Sequence, residues 1–243
     1  MSELRDLLAR HNVLRLAFPV GSTLYVARSP TTGALTGLSI DIGKELAARL
    51  EIPIEYLPYD SISALIEASS GDNWDLATII IDPARRQLFN YTHPYIESEA
   101  TYIVRSESGI HSVAEVDNPE VRVGVAENSA FDLFLTRAKT GTVLIRYNNI
   151  ATALKSFEMR QIDAVAGPRH LLLTAQRRLS GSIVLDERFD LAQVGIAVLK
   201  NRPSSVISSL NQFLVDVAVS GWMTNALQRA DISGVAISQE LKR

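Results

Sequence analysis

Apolar residues along the chain fall into short dense runs, and stretches with helical spacing separate them. Residues 13–18 (VLRLAF), 52–57 (IPIEYL) and 75–81 (DLATIII) read as strands. The last is almost continuously apolar, as expected of a strand covered on both faces. Between them, residues 38–50 (LSIDIGKELAARL) place Leu46 and Leu50 one helical turn apart, and residues 61–68 predict a short helix with Leu65 and Ile66 inward. The pattern then starts again. Residues 121–125 (VRVGV), 143–147 and 162–166 (IDAVA) predict strands, and helices are expected over 129–137, 150–159 and 170–179. Additional strands are expected at 100–104, 183–186 and 194–199. Helices close the chain over 204–220 and 223–230, and one opens it with Leu4, Leu7 and Leu8 on a single face.

Strand, helix, strand, helix, strand thus occurs twice. Such units imply parallel sheets with right-handed crossovers. The expectation is an α/β protein of two lobes, each a mainly parallel sheet of about five strands flanked by helices. Open α/β sheets bind ligands at the carboxyl ends of their strands, so the cleft between the lobes is the expected site.

Composition narrows the chemistry. The chain has 243 residues, 47% of them hydrophobic, and no cysteine. Disulfides, thiolate metal sites and cysteine nucleophiles are therefore excluded. A formal net charge of -3 argues against a general nucleic-acid or anionic-membrane binder. No segment reaches the roughly 18 apolar residues of a membrane span. The opening MSELRDLLAR lacks a signal-peptide core, which leaves a cytoplasmic protein or an exported one whose leader was removed.

Four stretches resemble the family 3 bacterial solute-binding proteins, which are type II periplasmic binding proteins serving polar amino acid transporters. They are LRLAF with GALTGLSIDIGKELAARLEI, then GDNWDLATIIIDPARRQLFNYTHPYIES, then VRVGVAENSAFDLFL, then GIAVLKNRP with the terminal helices. The resemblance spans roughly residues 4–230. It implies a first lobe of residues 1–103 plus 195–243 and a second of 104–194, with hinges near 103–105 and 192–195. It also implies a monomer that closes on a small molecule and delivers it to an ABC transporter permease, without a cofactor or metal. The absent leader then reads as a removed export segment, which places the protein in the periplasm or outside the cell.

The same resemblance designates the site. Arg85 falls on the arginine that grips the ligand carboxylate, a role suited to a planar bidentate guanidinium, although a solvated helix charge would look the same in sequence. Asn128 and Ser129 stand where the family has Gly-Thr, and Ser129 serves equally as a helix cap. Thr78 occupies a ligand-touching hydroxyl position or packs within its strand. Tyr25 lies near a stacking aromatic, and Ile62 replaces another. Asp82, where the family has threonine, either meets a ligand ammonium or caps the turn after it, and the cap is preferred.

One departure carries consequences. Members that bind α-amino acids hold the ligand ammonium with the final acid of a D-A-x-x-x-D element. Here Asp163 and Ala164 lead to Pro168, followed by Arg169 and His170 as candidate contacts. The expected ligand is therefore a small polar or carboxylate-bearing solute other than a standard α-amino acid. Two alternatives remain: an enzyme like the cyclohexadienyl dehydratases, which share the fold, or a ligand-sensing module.

Overall fold

The computed structural model describes residues 2–8, 12–20, 26–28, 33, 35–230 and 232–242. After α1 (Ser2–Leu8) come β1 (Leu14–Pro19), the short pair β2 (Ala27–Arg28) and β3 (Leu35–Thr36), α2 (Leu38–Leu50), β4 (Ile54–Tyr59), α3 (Ile62–Ala68) and β5 (Leu76–Ile80). β6 (Phe89–Tyr91) and the long β7 (Ile96–Arg105) follow. The second repeat is α4 (Val113–Val116), β8 (Arg122–Ala126), α5 (Ala130–Ala138), β9 (Val143–Tyr147), α6 (Ile150–Glu158), β10 (Ala164–Pro168) and α7 (Arg169–Gln176). β11 (Ser182–Val184), the long β12 (Asp190–Leu199), α8 (Ser204–Val219), α9 (Trp222–Ala230) and β13 (Val235–Ile237) complete the chain.

The repeat read from the apolar pattern is present as a palindrome. Strand order is β4-β1-β5-β12-β7-β10-β8-β9. In each repeat the first strand lies between the second and third, all parallel. The two expected sheets differ from this in one respect: hydrogen bonds run continuously through eleven strands. The reason is length. β7 and β12 have ten residues each and pair with one another antiparallel. β12 also pairs with β5, and β7 with β10, so each long strand joins one parallel trio to the other.

Cores lie on both faces of each trio. Leu16, Leu46, Phe213 and Met223 belong to one packed against α1, α2, α8 and α9, while Trp74 and Phe89 anchor another beneath α3. Phe131 and Val123 sit in a third, and Phe157 and Leu172 in a fourth. Full burial of each such side chain contributes about 1.5–3 kcal/mol. α2 is helical from Leu38 onward, because Leu38, Ile42 and Leu46 all face this core. A polar network ties the first trio together. Asp75, fully buried, accepts from Arg15 at 2.8 Å and lies 3.6 Å from Arg202, which also meets Asp72 at 2.9 Å.

Candidate functional site

Residues at the carboxyl ends of β5, β8 and β10 share one cavity of about 130 Å³. The first trio contributes Pro19 and Val20 after β1, Ser61 and Ile62 at the start of α3, Thr78, Ile79 and Ile80 of β5, and Arg85. The second contributes Ala126, then Ser129, Ala130 and Phe131 at the start of α5, and Asn148, Asn149 and Ile150 at the start of α6. Ala166, Pro168 and Leu171 complete the wall.

Local sequence explains the placement. Helices start at the cavity because cap residues follow the strands. Ser129 Oγ accepts from the Asp132 N–H at 3.2 Å, and Asn149 Oδ1 from that of Thr152 at 3.0 Å. Each such cap contributes about 1 kcal/mol. Gly167 allows α6 to come close: a Cβ there would lie 2.6 Å from Ile150 Cδ1. Arg85 is aimed by the 3₁₀ turn Pro83–Gln87, where Asp82 Oδ1 accepts from the Ala84 N–H at 2.8 Å and Pro83 supplies a fixed φ.

Arg85 is only 4% exposed. It donates to the Ile80 carbonyl at 3.3 Å and to the Asn128 carbonyl at 2.5 Å, and makes no ion pair among the described residues. Burial lowers its pKa, opposed by Tyr91 and Asp82. Tyr91 beside it is pushed up to about 12, again by burial. Thr78 is 3% exposed, and its hydroxyl has no hydrogen-bond partner among the described residues. An unpartnered buried hydroxyl carries a desolvation penalty of about 1–3 kcal/mol, which a bound group would relieve.

Arg85, Thr78 and Ser129 are thus brought together, and the other expected residues are not. Asp82 caps its turn and pairs with Arg137 of α5 at 2.9 Å. Asn128 lies beside the cavity wall: its carbonyl receives Arg85, and its amide donates to Ser63 at 2.9 Å, joining the two repeats across the cleft. Arg169 is a correction. It donates to Glu99 at 2.6 Å and to the carbonyls of Leu185, Asp186 and Glu187, which staples α7 to β7 and away from the cavity. His170 is another. It is 5% exposed, outside the wall, and burial pushes its pKa down to about 4. Tyr25 lies outside the described residues. Sequence reading missed Ser61, Phe131, Asn148, Asn149 and Ile150 as wall residues. The polar residue directly preceding each helix was the available signal for Ser61 and Asn149.

A two-winged α/β sheet with a cavity at its strand ends is an architecture built to hold a small molecule, and the comparisons give the family. The profile of the bacterial extracellular solute-binding proteins, family 3, matches residues 23–230, and the chain belongs to that family. Over 181 residues it is 24% identical to the glutamine-binding protein of Geobacillus stearothermophilus, covering 73% of this chain and 69% of that one. The amino-acid-binding protein AabA of Dichelobacter nodosus is 27% identical over 176 residues, 69% of this chain and 68% of that protein. Among solved structures, a mutant of ArgBP from T. maritima superposes with a TM-score of 0.82 at 18% identity, covering 93% of this chain and 98% of that one. An ancestral amino acid-binding protein described as a precursor of cyclohexadienyl dehydratase gives 0.80 at 20% identity, covering 94% and 99%. These similarities establish the type II periplasmic-binding-protein fold. No helix among the described residues is long and apolar enough to cross a membrane.

Proposed function

We propose that the protein is the substrate-binding component of an ABC importer, working as a monomer in the periplasm or outside the cell, and that it captures a small carboxylate-bearing solute by closing two lobes. The lobes are residues 1–103 plus 195–243 and residues 104–194. β7 and β12 cross between them and act as the hinge, where backbone rotation is absorbed. Closure brings Arg85 and Thr78 of one lobe to Ser129 of the other around the ligand, and the closed lobes present their joint surface to the permease.

The observation that carries this reading is Arg85: a buried guanidinium in a cavity wall, without an ion pair among the described residues. A charge so desolvated is costly unless an anion meets it. Binding without catalysis is favoured because no Asp, Glu or His stands among the described cavity-lining residues to move a proton. Native mass spectrometry of protein purified from its own host tests the reading. It expects a co-purified small acid lost on substitution of Arg85. Turnover of prephenate or arogenate, or a protein that carries and binds no small solute, would overturn it.

A further inference from the structure

We infer that the cavity selects a carboxylate with a short apolar body and no ammonium group. This inference rests on the reading of the cavity as a solute site. Its electrostatics are one-sided. Arg85 is the cation of the described wall. The N-termini of α5, α6 and α7, helices of nine, nine and eight residues, open onto it through Ser129, Asn149 and Pro168. A helix N-terminus carries a partial positive charge of roughly half a unit and unpaired N–H groups. Thr78, 3% exposed and without a partner among the described residues, adds a hydroxyl in the same wall. A carboxylate has the charge and the acceptor oxygens that suit this set of donors.

An ammonium in the same space would meet positive ends and no carboxylate. The neighbouring acids lie outside the wall, among them Asp190, which accepts from the Leu191 N–H at 2.8 Å and faces Arg137 beside Asp82. Asp82 holds its turn and Arg137, Asp132 holds Arg146 and the Asn128 N–H, and Glu127 is exposed outside the wall. The segment after Val20, GSTLYVARSPTTGA, contains no Asp or Glu. An α-amino acid would therefore bury its charged amine unpaired beside Arg85, a desolvation cost expected to exceed tenfold in affinity. The rest of the ligand meets Ile62, Ile79, Ile80, Phe131, Ile150 and Leu171. A cavity of about 150 Å³ holds benzene, and at about 130 Å³ this one suits a short branched body, with a phenyl ring testing its upper limit.

The test uses matched triads on the full chain, stripped of endogenous solute by unfolding and refolding, in calorimetric titration and thermal shift. Valine, isovalerate and isobutylamine form one triad. Leucine, isocaproate and isoamylamine form the second, and phenylalanine, hydrocinnamate and phenethylamine the third. The expected result is that in at least one triad the carboxylate binds ten or more times more tightly than its amino acid, and the amine does not bind. Tighter binding of an amino acid or an amine overturns the inference and leaves solute capture standing. Binding by no member overturns it too, and a co-purified solute of another class then separates that failure from failure of the transport reading. Thr78→Val adds a readout that a packing role would not give: the ligand-free melting temperature stays the same or rises, while carboxylate affinity falls about tenfold. Unchanged affinity would count against the inference.

Discussion

Two arginines are buried in this protein to almost the same extent, Arg85 at 4% and Arg202 at 3% exposure, and they are treated differently. Arg202 stands between Asp72 and Asp75 in the frame of the first trio. Its charge is answered within the chain, and its role is to tie the Asp72 turn and the strand entry at Asp75 together. Arg85 has backbone carbonyls for company and a cavity in front of it. An ion pair within the chain marks a structural charge. Burial without an ion pair marks a charge kept for something outside the chain. The difference could not come from residue type.

The strongest way to break the comparison is at Asp75. Asp75→Ala leaves Arg202 with Asp72 and strands Arg15, and the loss of a buried partner costs about 3–5 kcal/mol. Denaturant unfolding should show it. A cost below about 1 kcal/mol would mean that internal pairing does not define the structural arginine.

A buried base that remains neutral sharpens the contrast next. His170 titrates near 4 when folded, against an ordinary value of about 6.5, because burial disfavours its charge. Its contribution to stability is complete above pH 6.5 and is lost as pH falls toward 4, since the unfolded chain binds the extra proton. That amounts to about 3 kcal/mol over this window. Unfolding free energy measured from pH 7 to 4 should fall accordingly, and His170→Leu should flatten the slope. An unchanged slope would show that His170 protonates without cost.

A smaller effect is expected at Asp82→Asn. The asparagine still caps the Pro83–Gln87 turn, while the pair with the half-exposed Arg137 is lost. The cost should be about 0.5–1 kcal/mol after screening by solvent. Because that pair joins the two repeats across the cleft, small-angle scattering of the ligand-free variant should show a larger radius of gyration. An unaltered radius would limit Asp82 to its cap.

Much of this was legible in advance. Two β-α-β-α-β repeats followed from apolar spacing alone, and their palindromic placement comes from the antiparallel pairing of β7 with β12 between two trios of the same internal order. Arg85 and Ser129 were singled out through the family resemblance, since a charge on a short turn and a helix cap look alike in sequence whether or not they line a cavity. The merging of two sheets into one was not legible, since it depends on β7 and β12 extending several residues past their apolar runs into polar ones such as Glu97, Glu99 and Gln193. Arg169 was misplaced because the first turn of α7 points it toward Glu99, a partner seventy residues away. Ile150 and Phe131 carried no signal as wall residues, because an apolar side chain in a first helical turn looks the same whether it lines a cavity or fills a core.

The most direct test of the contrast is the melting temperature of Arg85→Met, with and without isocaproate, beside the wild type. The account predicts that the ligand-free variant stays within about 1 kcal/mol of the wild type, since the carbonyl, Tyr91 and Asp82 interactions lost are offset by removal of a desolvated charge, and that the carboxylate-induced rise in melting temperature disappears. A variant that unfolds as Asp75→Ala does, or that keeps the full ligand-induced rise, would contradict it.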